Sequence, residues 1–357
     1  MNILNPSRRT ELETALDQLP RSRLAALPTP FERCDRLSAE LEGPNIWIKR
    51  DDLTGLAMGG NKTRMFEYLL GEAVERGVDT VVAGAAVQSN YCRQLAASCA
   101  KLGMACHLVL RKVRGKRDQE IQGGLLLDLM VGAQVTLVED SGTWEKHGER
   151  VREKARELAA SGKEVLVARV GDESSLGLHA VAYAAATLEL IDQADAAGVR
   201  IDQLWLCSSD TTQAGLAFAL KYIESPIRLV GLPAMPNPVS PGWTFEECFA
   251  RTANTCGDVL GLGSGVEADD ITSLTDYVGP GYSILTDEAR EALRLVGRLE
   301  GILLDPVYSS KAMAGLIDHA RTGQIPVDQN VVFLHTGGTP ALFAFADTLG
   351  LDALLDG

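Results

Sequence analysis

The chain has 357 residues, 46% hydrophobic and 23% charged, with a formal net charge of −14. That composition excludes a disordered chain, the length calls for about two domains, and the acidic surplus argues against nucleic-acid binding, which needs a basic surface to displace counterions. No run reaches the ~20 apolar residues of a membrane span.

Residues 1–19 mix acidic and basic side chains with helical periodicity and have no apolar signal core. The seven cysteines form no Cys-x-x-Cys pair, so the expectation is a protein of the reducing cytoplasm without structural zinc. Beyond the N-terminus, β-branched or aliphatic runs at 45–49, 79–83, 105–110, 134–138, 164–168, 203–207, 227–231 and 330–335 read as strands. Amphipathic stretches at 91–102, 143–160, 178–196, 214–222 and 287–299 lie between them. The alternation predicts an α/β protein with parallel sheets covered on both faces. Eight such units without an internal repeat fit two sheets better than one barrel. Arg111, Lys112, Arg114, Lys116 and Arg117 form a basic run, expected as a solvated loop. Cys92 and Cys99, seven apart on a helix, read as small core residues. Residues 232–266, with Pro233, Pro236, Pro238 and Pro241, read as a long irregular connection bordering a site.

The most informative segment is Gly59-Gly60-Asn61-Lys62. Met65, Phe66, Leu69, Leu70 and Ala73 follow as one apolar stripe, so Lys62 falls in the first turn of an amphipathic helix. The helix dipole disfavours a cation there, which eases loss of its proton, and carbonyl chemistry needs a neutral amine. The glycines admit backbone or a flat ligand at close range. A tight turn with a solvated lysine fits the same four residues. Farther on, Ser89-Asn90 follows the small-residue turn Gly84-Ala85-Ala86 and opens a helix. Capping explains it, and so does carboxylate or phosphate binding by the open N–H groups. The run Ser208-Ser209-Asp210-Thr211-Thr212-Gln213-Ala214-Gly215 offers hydroxyls and backbone N–H groups at another helix start, a phosphate cradle or a set of caps. Asp305-Pro306-Val307-Tyr308-Ser309 and His335-Thr336-Gly337-Gly338 also enter helices at strand ends, where open α/β sheets bind ligands.

Taken in order, the segments Gly-Gly-Asn-Lys-Thr-Arg, Gln-Ser-Asn, Thr-Gln-Ala-Gly, Asp-Pro-Val-Tyr and His-Thr-Gly-Gly-Thr-Pro-Ala-Leu resemble one family over about residues 24–345. It is the pyridoxal-phosphate enzymes of fold type II, the tryptophan-synthase-β fold, in the D-cysteine desulfhydrase and 1-aminocyclopropane-1-carboxylate deaminase branch. The resemblance implies two domains, each a mostly parallel sheet flanked by helices. Residues 61–175 would form a small domain inserted in a large one of residues 1–60 and 176–357. Lys62 would carry the Schiff base with pyridoxal 5'-phosphate and shuttle the Cα proton. Asn61, Asn90 and Thr336 would contact the cofactor, Asn90 through its phenolic oxygen. Ser209, Thr211, Thr212, Gln213, Ala214 and Gly215 would hold its phosphate. Ser89 and Asn90 would take the substrate carboxylate, with Tyr91 beside the substrate, and Tyr282 and Tyr308 would face its amino and side-chain end.

Ser309 stands where the cyclopropane-cleaving enzymes of the resemblance have a glutamate that protonates the pyridine nitrogen. A hydroxyl there fits an unprotonated ring and favours β-elimination over ring opening. Three positions depart from the family pattern: Tyr91 in place of His or Gln, Asp210 in place of a small residue, and the 170–177 segment in place of a Gly-Gly-Ser-Asn type loop. The implied activity is α,β-elimination from a small β-substituted amino acid, D-cysteine foremost, by a homodimer. Cysteate sulfo-lyase, 1-aminocyclopropane-1-carboxylate deaminase and β-replacement synthase activities stand as rivals within the family. A noncatalytic amino-acid-binding relic is the rival outside it.

Overall fold

The computed structural model describes residues 2–139, 143–168, 173–208, 211–238, 240, 242–263 and 265–351, without the side chains of residues 173 and 174. Its strands are β1 (Phe31–Arg33), β2 (Asn45–Lys49), β3 (Thr80–Ala86), β4 (Ala105–Arg111), β5 (Gln134–Val138), β6 (Val165–Val167), β7 (Gln203–Cys207), β8 (Arg228–Leu232) and β9 (Asn330–Leu334). They form two sheets, one in the order β1-β2-β9-β7-β8 and the other in the order β5-β4-β3-β6. Every pairing is parallel except β1 with β2. The helices are α1 (Pro6–Asp17), α2 (Asp35–Glu40), α3 (Lys62–Glu75), α4 (Asn90–Leu102), α5 (Gly123–Met130), α6 (Trp144–Ala160), α7 (Glu173–Ala196), α8 (Thr211–Tyr222), α9 (Phe245–Val259), α10 (Asp287–Glu300), α11 (Ser309–Arg321) and α12 (Ala341–Ala344). None among the described residues is long and apolar enough to cross a membrane.

All eight expected strands are present, and both sheets are parallel because helical crossovers return the chain to the same edge. The apolar stripe of α3 is fully buried, and one core runs from it through α4, β3 and β4 to α7 and α8. A second core fills the opposite face of the five-stranded sheet beneath α2, α10 and α11, and a small third one lies under α6. Cys92 and Cys99 are core residues.

Three expectations are corrected. The 232–266 segment is not irregular throughout, since α9 occupies 15 residues of it. Thr244 and Glu247 close a capping box, and Phe245, Phe249, Ala253 and Cys256 give it a buried face. Gly84-Ala85-Ala86 is not a turn but the end of β3. A Cβ on Gly84 would lie 2.4 Å from Val151, so small residues are needed where α6 crosses the strand. The basic run is solvated only in part, at Lys116 and Arg117. Arg111 is buried and stacks 4.6 Å from the Trp144 ring, while Arg114 sits 3.8 Å over Phe345 and donates to Ala344 O at 2.8 Å. Arg117 pairs with Asp347, so the segment clasps the C-terminal region.

The start of α3 is fixed by a buried ionic network. Arg64 Nε donates to Asp51 at 2.9 Å and its Nη atoms reach Glu189 at 2.7 and 2.9 Å. Lys49 donates to Gln193 at 2.6 Å and to Glu189 and the Thr29 carbonyl, and Tyr183 donates to Asp51 at 2.7 Å. Burial alone would raise the Glu189 carboxyl, but Arg64 and Lys49 outweigh it and hold its pKa at about 2, against 4.5 ordinarily. A depressed carboxyl pKa stabilises fully above pH 4.5 and progressively less as pH falls toward 2, a term worth roughly 3 kcal/mol. Glu189→Gln is therefore expected to lower the unfolding free energy by about 3 kcal/mol at pH 6. The gap should close as pH falls below 4.5. Urea unfolding of both proteins across that range checks this; a gap independent of pH would mean that Glu189 does not titrate against Arg64 and Lys49.

Candidate active site

Five connections leaving the carboxyl ends of parallel strands converge on one cleft. The chain after β2 contributes Asn61 and Lys62, and the chain after β3 contributes Ser89, Asn90 and Tyr91. Cys207, Ser208 and Thr212 come from the β7–α8 junction, Met235 follows β8, and Thr336 and Gly337 follow β9. Tyr308, just before α11, completes the wall.

The glycine pair before Lys62 is required by close backbone approach. Gly59 has φ +68° and Gly60 φ +130°, and a Cβ on Gly59 would sit 2.0 Å from Asp52 O. A Cβ on Gly337, φ +95°, would lie 2.7 Å from Gly60 Cα, so the loops after β2 and β9 approach this closely because both carry glycine. Asn61 bonds both neighbours: its N–H donates to Thr336 O at 2.9 Å and its Nδ2 to Thr212 Oγ1 at 3.0 Å. Lys62 is the first residue of α3, in the first turn as its spacing predicts.

Ser89 is the N-cap of α4, its hydroxyl accepting from Cys92 N at 3.3 Å, so the capping reading holds and its own proton is left to donate. Asn90 lines the cleft, and its Oδ1 accepts from Arg93 Nη2 at 3.1 Å, which leaves Nδ2 as the donor end of the amide. The same guanidinium donates to Gly59 O at 3.0 Å, tying α4 to the glycine loop. Tyr91 is buried, with its hydroxyl 3.3 Å from His179 Nε2 and its ring edge-on to Phe66.

The α8 residues divide. Thr212 faces the cleft, and Gln213 N donates to Ser208 Oγ at 3.1 Å. The Thr211 hydroxyl turns to Met65 Sδ at 3.6 Å and the Gln213 side chain donates to Thr272 O at 2.9 Å, so neither side chain reaches the cleft by these contacts. Ala214 is buried within the helix, and a Cβ on Gly215 would lie 2.0 Å from Ala180 O, so that glycine serves the packing of α8 on α7. Ser209, Asp210 and residues 170–172 lie outside the described residues.

Tyr282 does not line the cleft itself; its hydroxyl meets that of Tyr308 at 2.6 Å. Ser309 is buried behind Tyr308, its hydroxyl accepting from Asp305 N at 2.7 Å and donating to Asp305 Oδ1 at 2.6 Å. Ser208 and Gly337, from two of the expected segments, also line the cleft, as do Cys207 and Met235, for which no role was expected. The hydroxyl run and the Gly-Gly pair marked Ser208 and Gly337. Met235 sits among prolines and Cys207 ends a buried strand, and neither position carries a sequence signal of its own. A primary amine, an amide donor, and hydroxyls at a helix N-terminus in one cleft form the donor set that a phosphorylated aromatic aldehyde requires. The residues present fit pyridoxal phosphate.

Comparison with known proteins agrees. Residues 23–337 match the family model described as pyridoxal-phosphate dependent enzyme. A D-cysteine desulfhydrase of Serratia proteamaculans is 36% identical, over 94% of this chain and 98% of that one. One of Klebsiella pneumoniae is 38% identical, over 92% and 97%. The crystal structure of an ACC deaminase homologue superposes with a TM-score of 0.84 and 33% identity, over 95% of this chain and 98% of the other. O-ureido-L-serine synthase, at 19% identity and a TM-score of 0.64, shares the fold. The chain belongs to the pyridoxal-phosphate-dependent enzymes and has their fold type II architecture.

Proposed function

We propose that this protein is a lyase that eliminates the β-substituent of a small amino acid, converting D-cysteine and water to pyruvate, ammonia and hydrogen sulfide. The observation that carries the reading is the placement of Lys62 in one cleft with the α4 N-terminus and Tyr308. Near-full-length likeness to D-cysteine desulfhydrases supports it. Pyridoxal phosphate, when bound, supplies the electron sink that makes a Cα–H bond acidic. Lys62 anchors it and takes the Cα proton on Nζ. Asn90 Nδ2 donates to the cofactor's phenolic oxygen, with Asn61 and Thr336 beside it. Thr212 and the backbone N–H groups of the run from Ser209 through Thr211, Gln213 and Ala214 to Gly215 would hold the phosphate, while the Thr211 hydroxyl meets Met65 and the Gln213 amide meets Thr272. Ser89 and the α4 amides hold the substrate carboxylate. Tyr308, paired with Tyr282, faces the amino and leaving-group end, and Tyr91 borders the side chain. Ser309, where the resembling cyclopropane-cleaving enzymes have a glutamate, would bring no acid to the ring nitrogen, which favours elimination over ring opening. In this reading residues 61–175 form the small domain inserted in residues 1–60 and 176–357, and a homodimer works in the cytoplasm.

The holoenzyme is tested with D- and L-β-substituted alanines and 1-aminocyclopropane-1-carboxylate while 2-oxo acids are identified. Pyruvate from D-cysteine is expected, and Lys62→Ala should lose several powers of ten in rate, each costing ~1.4 kcal/mol of barrier. 2-Oxobutyrate from the cyclopropane substrate alone, or turnover only with an added nucleophile, would replace this reading with a rival. Pyruvate from cysteate in preference to D-cysteine would move the leaving group to sulfite.

Tyr91 supplies a second test. A phenol is bulkier than Gln and, unlike His, uncharged near neutral pH. Tyr91→His is expected to reorder the substrate panel while cofactor absorbance stays unchanged. Loss of bound cofactor with the ranking preserved would place Tyr91 outside the substrate's reach.

A further inference from the structure

Lys311 is fully buried in the first turn of α11. A cation there opposes the helix dipole, and burial pushes its pKa below the ordinary lysine value, against the pull of Cys207 and Asp305. Among the described residues it makes no ion pair. Its ammonium instead donates to two backbone carbonyls of one loop, Val278 O at 2.6 Å and Gly281 O at 3.1 Å. The next residue in that loop is Tyr282, whose hydroxyl meets Tyr308 at 2.6 Å. Tyr308 is itself set by the same turn, because Asp305 accepts from the N–H groups of Val307, Tyr308 and Ser309 at 2.7 to 3.0 Å. Both phenols therefore hang from one helix start, one through a buried carboxylate and the other through a buried ammonium. Gly279, with φ +71°, bends the loop so closely that a Cβ there would lie 2.3 Å from Thr286.

We propose that Lys311 is a positioning residue for the reaction: by holding the 278 and 281 carbonyls it keeps the Tyr282 hydroxyl on Tyr308 at the cleft. A lysine that merely fills the gap between α11 and the loop would stabilise the fold without acting through Tyr282, and this is the reading to be beaten. The proposal rests on the functional reading above only in its use of turnover.

The test compares wild type, Lys311→Met, Tyr282→Phe and the double variant as holoenzymes. Turnover is measured with whichever amino acid of the panel wild type converts fastest, so an error in the substrate assignment does not touch the outcome. Hydrogen exchange of the 278–286 peptide is followed without substrate. Lys311→Met is expected to leave cofactor absorbance intact, to speed exchange of that peptide selectively, and to lower kcat/KM by about as much as Tyr282→Phe, roughly 10- to 100-fold. The double variant should be no more than about threefold worse than either single one, because both changes remove the same interaction. Lys311→Arg, which retains the cation, should recover part of the loss. Multiplicative losses in the double variant, unchanged kcat/KM in Lys311→Met, or loss of cofactor absorbance would each overturn the proposal. Should neither Lys311 variant fold while Tyr282→Phe does, Lys311 serves the fold as a whole and the assignment fails.

Discussion

Everything at the cleft depends on Arg64 being locked between Asp51 and Glu189. Arg64 lies two residues after Lys62 on the same helix turn, so its bonds fix the start of α3 from which Lys62 projects. Its partners come from the loop after β2 and from the middle of α7, and Lys49 and Tyr183 complete the set. Such a buried network is not where the fold finds most of its stability, because desolvation consumes much of the attraction. What it supplies is geometry. A planar fork bound to two carboxylates admits one orientation of α3, and misplacement by an ångström would separate the amine from its targets.

The site shows the same economy elsewhere. Lys62 and Lys311 both stand at helix starts, where a cation is disfavoured, and Asp305 and Ser89 stand at helix starts where a carboxylate or hydroxyl is favoured. The favoured residues build the turns. Of the disfavoured ones, Lys62 lines the cleft and Lys311 grips the neighbouring loop. Glycine does the remaining work at 59, 60 and 337, where two connections touch without side chains between them.

The sequence was most legible where local pattern and tertiary role coincide. The stripe Met65, Phe66, Leu69, Leu70 placed α3 and with it Lys62, and the eight β-branched runs placed all but one of the strands. β1 escaped because three residues carry no period, and it exists by pairing with β2. Helix α9 was hidden by the prolines before it, although its capping box is plain in Thr244 and Glu247. The arginines at 111–117 read as solvated since nothing local announces Phe345 or Asp347, more than two hundred residues away. The motifs pointed to the neighbourhoods of Ser89, Asn90, Thr212, Tyr308 and Thr336. They did not show that the Thr211 and Gln213 side chains turn aside, or that Asn90 is oriented by Arg93, because those facts are set by what the side chains meet across the fold.

One feature of the larger sheet governs when this protein can become an enzyme. β9, formed from residues 330–334, lies between β2 and β7, and the loop after it delivers Thr336 and Gly337 to the cleft. Until residues 330–337 have been synthesised, β2 and β7 have no common neighbour and Asn61 has no Thr336 carbonyl to meet. A chain ending before residue 330 thus lacks both the strand that joins β2 to β7 and the wall that Thr336 and Gly337 give the cleft.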